Sequence, residues 1–159
     1  MANSSNNSNS RGELVRIVFV CSGNSARSQM AEGFARAWSA DNVWVESAGI
    51  RPIGLSEKAV QVMAEVGVDI SRQHSKSVYD IDPDQDYVIT LCDHAVDPCQ
   101  TLAANRERAH WSAPDPVSLA PCMEDPLTAY RRSRDMIAEK VRSFLEERGL
   151  LKEAGGPKD

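Results

Sequence analysis

Val15-Arg16-Ile17-Val18-Phe19-Val20-Cys21-Ser22-Gly23-Asn24-Ser25-Ala26-Arg27-Ser28 carries the clearest architectural signal in the chain. Its first half is apolar and β-branched (Val15, Ile17, Val18, Phe19, Val20), the composition of a strand buried on both faces. Its second half is a run of small residues, beyond which Met30, Ala31, Phe34, Ala35 and Trp38 recur at helical spacing. A strand, a small-residue loop and a helix start together make an oxyanion cradle. The first amides of a helix have no intrahelical partners, and the helix dipole adds positive potential at that end. Gly23 and Asn24 tolerate the positive φ that such a loop needs. Arg27 can close the cup with a planar fork of donors. Ser22, Gly23, Asn24, Ser25, Ala26, Arg27 and Ser28 are therefore the expected oxyanion-binding residues. A thiol at a helix N-terminus beside an arginine ionises more readily than a free one, which makes Cys21 the expected nucleophile. Ser28 can donate a hydroxyl to its sulfur.

Outward from this stretch, the chain alternates strands and helices. Asp41-Asn42 turns it into a second apolar strand, Val43 to Ser47, and Ala48-Gly49 opens a loop. Ser56 followed by Lys58, Ala59, Val60, Val62, Met63 and Val66 predicts a capped amphipathic helix that Gly67 ends. Asp69 to Gln85 is polar and irregular; Tyr87 to Leu91 is the third strand, and a short fourth is expected near Ala109 to Trp111. A loop containing Pro114, Pro116 and Pro121 follows. The last helix has Asp125 as N-cap, Pro126 at its first position, and Leu127, Tyr130, Met136, Ile137, Val141, Phe144 and Leu145 on one side, with Gly149 at its end. The pattern predicts an α/β fold, a single doubly wound domain whose four-stranded parallel sheet is flanked by helices on both faces. Ligands of such sheets sit at the carboxyl ends of strands, where Cys21 lies. The expected organisation is a disordered tail over 1–12, one catalytic domain over 13–149 and a polar C-terminal tail over 150–159.

The chain has 159 residues and a net charge of −5, which disfavours nucleic acid or an anionic membrane surface as a partner. No apolar run approaches the roughly 20 residues needed to span a bilayer. Met1 to Gly12 is rich in Asn and Ser and lacks the apolar core of a secretory signal, so the expected compartment is the cytoplasm. In that compartment four cysteines, Cys21, Cys92, Cys99 and Cys122, mean chemistry rather than a disulfide framework.

Cys92 also falls at the carboxyl end of a strand, close to Cys21 in a doubly wound sheet, and Cys99 follows seven residues later. A continuous helix would hold Cys92 and Cys99 roughly 10 Å apart, and a disulfide needs Cα atoms within about 7 Å. Joining them requires the segment to bend, and Pro98 already disfavours helix at Asp97. The sequence thus suggests a relay in which Cys21 reacts, Cys92 resolves it and Cys99 takes over from Cys92. Two other readings stand beside it. Cys92 and Cys99 with His94 and His110 are possible zinc ligands, although the spacing matches no usual Cys-x2-Cys pattern, or the cysteines are small buried hydrophobes. Cys122 has no partner in sequence. A proton donor for a leaving group is sought among the Asp-Pro pairs at Asp82, Asp97, Asp115 and Asp125. Asp125 is better used as a helix cap. Asp115 sits in a loop after the fourth strand, from which it can reach over the cup and act as general acid.

These residues carry a family resemblance. Cys21 to Phe34, Glu46-Ser47-Ala48-Gly49, Thr90-Leu91-Cys92, the step to Cys99, and His110-Trp111 with Pro114-Asp115-Pro116 resemble the thioredoxin-coupled arsenate reductases, built on the low-molecular-weight tyrosine phosphatase fold. The resemblance spans residues 14 to 148. It implies that Cys21 attacks arsenate, that the loop amides and Arg27 hold its oxygens, that Ser28 stabilises the thiolate and that Asp115 protonates the departing oxygen. It further implies that Cys92 attacks Cys21 to release arsenite and that Cys99 then forms a disulfide with Cys92, which thioredoxin reduces. Phosphate or sulfate is expected to fit the same loop. No organic cofactor and no metal is implied, and a monomer is expected. The chain departs from many relatives in having Ala26 where they carry a further cysteine. Some relatives hold potassium near the loop; Asn24, Glu32 and Ser47 match residues placed around it, but Lys76 stands where they have an acidic residue, and its ammonium is expected to replace the ion. Two alternatives share part of this pattern: a phosphatase acting on tyrosine or aryl phosphates, which has no need of Cys92 and Cys99, and a non-enzymatic oxyanion or redox sensor.

Overall fold

The computed structural model describes residues 13–91 and 102–152. The expected tail over 1–12, the residues Cys92, His94, Asp97 and Cys99, and the end of the chain from 153 lie outside the described residues. The elements are β1 (Val15–Cys21), α1 (Arg27–Trp38), β2 (Val43–Gly49), α2 (Glu57–Ala64), β3 (Gln85–Thr90), β4 (Ala104–His110), α3 (Pro116–Leu119) and α4 (Pro126–Glu147), with a 3-10 turn at Ala120–Cys122 between the last two. All four strands are parallel, in the order β2-β1-β3-β4.

The first strand is central because its sequence is apolar on both sides. Ile17 and Phe19 are fully buried on one face, where they join Met30, Phe34, Val62, Met63, Ile137 and Phe144 from α1, α2 and α4. Val18 and Val20 point to the other face, where Val78, Ile81, Val88 and Leu102 cover them. Among the described residues that second face is closed by the irregular segment around 78–81 and by Leu102, and no helix lies on it. From β1 the chain steps to β2 on one side and later to β3 on the other. The carboxyl end of β1 is therefore the topological switch point, the place where a crevice forms.

The expected helix signals are used as read. Ser56 Oγ accepts the amide of Ala59 at 3.2 Å, and Asp125 Oδ1 accepts that of Leu127 at 3.0 Å. Gly67 and Gly149 take positive φ values of 82° and 68° beyond the ends of α2 and α4, as αL stops do. Three boundaries differ from the expectation. The second strand runs on through Ala48 to Gly49 rather than opening a loop there. The fourth strand begins at Ala104, well before Ala109. Its sequence, Asn105-Arg106-Glu107-Arg108, hides it because it is an edge strand held by polar contacts. Arg106 pairs with Glu13 and Asp86, and Glu107 receives a bidentate pair from Arg148 at 2.8 Å. The proline-bearing loop after β4 contains α3, which Asp115 caps and Pro116 starts.

The two helices beside α1 are tied by charge at the surface. Glu65, just past α2, accepts from Arg131 at 2.8 Å and from Arg134 at 2.9 Å, both on α4. The hydrogen bond from Arg131, aided by that from Arg134, holds the Glu65 carboxyl down at about 2. A depressed folded-state value means stabilisation that is present above the unfolded value near 4.5 and fades as the pH falls toward 2. Glu65→Gln should therefore lower Tm modestly at pH 7, with the gap from wild type narrowing as pH drops below about 4.5. Thermal melts across pH 3–7 check this, and a gap that does not change with pH would contradict it.

Candidate active site

The loop between β1 and α1 has its carbonyls turned outward. Cys21 O accepts from the amide of Ile50 at 3.3 Å, Ser22 O from Arg51 at 2.8 Å, Gly23 O from Ile53 at 3.0 Å and Ser25 O from Ser56 at 3.0 Å. The carbonyl of Asn24 is taken by side chains, Ser75 Oγ at 2.6 Å and Gln29 Nε2 at 3.0 Å. In a trans peptide the C=O and the following N–H point opposite ways. Outward carbonyls from Cys21 to Ser25 therefore turn the amides of Ser22 to Ala26 inward, and among the described residues those amides donate to no protein group. The N-cap of α1, Ala26, supplies no side-chain cap either. A concave ring of uncommitted N–H groups at a helix start is an anion site.

Cys21 ends β1 at the floor of this ring and is 3 % exposed. Its Sγ lies 2.9 Å from Ser28 Oγ. Asn24 Nδ2 donates to the same hydroxyl at 2.8 Å and to Ser47 Oγ at 2.9 Å, while Asn24 Oδ1 accepts the amide of Lys76 at 2.8 Å, which fixes the orientation of the side-chain amide. An amide NH2 can only donate, so Ser28 Oγ accepts there and its one proton is available to the sulfur. Asn24 pays for this with a φ of 48°, and it is fully buried.

Arg27 opens α1, 6 % exposed, and its Nη1 donates to the carbonyls of Leu91 at 2.9 Å and Ala113 at 3.2 Å. It is thus braced by the ends of the β3 and β4 branches of the sheet. Its Nη2 stands 3.8 Å from Asp115 Oδ2. Asp115 does not hang in a free loop as expected. It caps α3, with Oδ1 accepting the amide of Val117 at 3.0 Å and Oδ2 the hydroxyl of Ser118 at 3.1 Å. Asp82 pairs with Arg16 and Asp125 caps α4, so neither is placed at the cup. His110 Nδ1 is 2.7 Å from Thr90 Oγ1. Cys122 is exposed in the 3-10 turn. The structure brings together Cys21, the loop amides, Arg27, Ser28 and Asp115; Cys92 and Cys99 lie outside the described residues.

Behind the loop sits the buried carboxylate of Glu32. Its Oε1 accepts from Ser47 Oγ at 2.6 Å and faces Lys76 Nζ at 3.9 Å, and its Oε2 pairs with Arg36. A potassium ion in this place would need oxygen ligands that are uncommitted. Here Glu32 is compensated by two cations, and the acceptor oxygen of Asn24 is occupied by the Lys76 amide. The residues do not fit the ion.

Two contributions escape a reading of the sequence. One is steric: a Cβ on Gly49 would stand 2.8 Å from Asn24 N, 2.9 Å from Asn24 Cβ and 2.9 Å from Ser22 O, so the end of β2 touches the loop where only glycine fits. The other is Ser75 with Gln29, polar groups placed against the loop's back. The sequence carries no signal for the latter, because Gln29 falls on the side of α1 that bears Glu32 and Arg36, opposite Met30, Phe34 and Trp38.

A low molecular weight phosphotyrosine protein phosphatase model matches residues 16–154, and the chain belongs to that family. Its similar proteins include several arsenate reductases. It is 41 % identical to the arsenate reductase of Halalkalibacterium halodurans over 131 residues, 82 % of this chain and 94 % of that one. It is 43 % identical to the arsenate reductase of Bacillus licheniformis over 134 residues, with the same coverage. An arsenate reductase solved in its oxidized state superposes with a TM-score of 0.74 at 31 % identity, covering 84 % of this chain and 98 % of that one.

The Gly49 contact leads to a direct expectation. Gly49→Ala should push the loop out of shape, leaving the core intact but weakening inorganic phosphate as a ligand about tenfold or more. Calorimetric titration of phosphate, beside a circular dichroism melt, checks it. Unchanged phosphate affinity would show that the loop can yield there at no cost.

Proposed function

We propose that the chain is an arsenate reductase, taking arsenate to arsenite. The observation that carries this reading is the ring of inward amides around Cys21, with Ser28 on its sulfur and Arg27 and Asp115 at its rim. Such a ring complements the charge of a tetrahedral oxyanion and the charge that builds during attack upon it. Cys21 attacks arsenic as the thiolate, and Ser28 turns its proton to the sulfur. Arg27 and the loop amides hold the oxygens, and Asp115 gives a proton to the oxygen that leaves.

The remaining steps belong to the two cysteines beyond β3. Cys92 attacks Cys21 sulfur; the electron pair of the S–As bond passes to arsenic, arsenite departs, and a Cys21–Cys92 disulfide remains. Cys99 then attacks Cys92, freeing Cys21 as a thiolate and leaving a Cys92–Cys99 disulfide. Thioredoxin, through a dithiol, reduces that bond. A catalytic cycle that ends in a reducible disulfide suits a compartment kept reducing, and we place the enzyme in the cytoplasm. No helix among the described residues is long and apolar enough to cross a membrane.

The same cup supports a weak phosphatase activity on small aryl phosphates, since Cys21, Arg27 and Asp115 are what such a reaction uses. The residues beside Asp115 are Pro116, Val117 and Ser118, which offer no aromatic wall to a phosphotyrosine ring.

Cys92→Ser separates the readings. Turnover with a thioredoxin system should disappear, while one round of attack by Cys21 and the hydrolysis of para-nitrophenyl phosphate persist. Loss of both activities, or of neither, would reject the relay. With Lys76 already at Glu32, exchange of NaCl for KCl at equal ionic strength should leave kcat/KM within about twofold; strong stimulation by potassium would show that the ion displaces the ammonium.

A further inference from the structure

We propose that Gln29 and Ser75 are positioning residues that set the affinity of the cup for its oxyanion by holding one peptide unit, Asn24–Ser25. The proposal rests on the reading of the cup as the oxyanion site. The other outward carbonyls of the loop, those of Cys21, Ser22, Gly23 and Ser25, are held by main-chain amides of residues 50–56. Main-chain donors are present whatever side chains the segment carries. The Asn24 carbonyl has no main-chain donor among the described residues and is held by Gln29 Nε2 at 3.0 Å and Ser75 Oγ at 2.6 Å.

This peptide also adjoins the loop's one strained backbone position. Asn24 is the only non-glycine at positive φ among the described residues. Its side chain is anchored separately, to Ser28, Ser47 and Lys76, so the direction of its carbonyl is left to Gln29 and Ser75. A peptide released by those two groups would tilt and draw the Ser25 N–H away from the cup, weakening a donor to the anion.

Both holding groups are themselves fixed. Gln29 is completely buried; its Nε2 also donates to His74 O at 3.0 Å, and its Oε1 accepts Gln73 Nε2 at 2.8 Å, which settles the orientation of the amide. Ser75 Oγ accepts the amide of Gly54 at 3.0 Å, so its proton is directed to the loop carbonyls, with the shorter contact to Asn24 and a longer one of 3.3 Å to Gly23. Helix α1 from one side and the segment before β3 from the other thereby converge on a single carbonyl.

The test uses the reduced full-length protein with inorganic phosphate as probe. It reads phosphate affinity by calorimetry and by protection of Cys21 from iodoacetamide, with Tm recorded for each variant. Gln29→Met keeps the volume and removes both donors; Ser75→Ala removes the hydroxyl at a half-buried position and guards against Gln29→Met failing to fold. Ile137→Val, in the core under α4, reports what a general loss of stability does to the cup. Each of the first two variants should weaken phosphate about tenfold, whereas Ile137→Val should leave its affinity within twofold. The proposal is overturned if Gln29→Met and Ser75→Ala bind phosphate as wild type does, or if Ile137→Val weakens it as much as they do. Failure of phosphate to protect Cys21 in the wild type would instead remove the reading of the cup itself.

Discussion

The candidate active site depends on a constraint imposed from outside it: the carbonyls of the loop after β1 are bound by the chain that follows β2. A short loop of small residues has many conformations of similar energy, and few of them gather successive amides on one side. Residues 50–56 select among these by donating main-chain hydrogen bonds to the loop's outer face. Because β2 lies next to β1 in register, with Gly49 opposite Cys21, the donors arrive at the height at which the loop begins. The parallel sheet thus does more than carry the cysteine. It aligns a second segment that turns the first one inside out.

Within that frame, a line of polar side chains reaches from the buried Glu32 through Ser47 and Asn24 to Ser28 and the sulfur. Each group in it has its donors and acceptors committed, the condition under which a buried polar network orders a site rather than destabilising it. Lys76 and Arg36 neutralise the carboxylate at one end. At the other, Arg27 is braced by carbonyls of Leu91 and Ala113, so its fork is set before any ligand arrives. A site already arranged in this way need not spend binding energy on ordering itself.

The parts of the molecule that could be read from the sequence are those where one residue type does one local job. The β-branched run before Cys21, the caps Ser56 and Asp125 and the stops at Gly67 and Gly149 are of this kind. So are Cys21, Arg27 and Ser28, which lie in one short stretch of the chain. What escaped depends on partners distant in sequence. The fourth strand is kept by pairs with Arg148, Asp86 and Glu13 rather than by its own apolar pattern, so no periodicity marks it. Ser75 reads as one more polar residue in an irregular stretch until the fold sets it against Asn24. Gly49 looks like a turn, and its real requirement is the space that the neighbouring loop occupies.

The polar makeup of β4 has a consequence for the molecule among its neighbours. An outermost strand leaves half its main-chain groups unmatched and invites a strand from another molecule to join. Here Arg106, Glu107 and Arg108 crowd that border with ionic side chains, several of them bound back onto their own protein. A second sheet seeking to extend this one would have to strip water from those ions and break their internal pairings. The same residues that concealed the strand from a sequence reader discourage fibre-like self-association at high protein concentration.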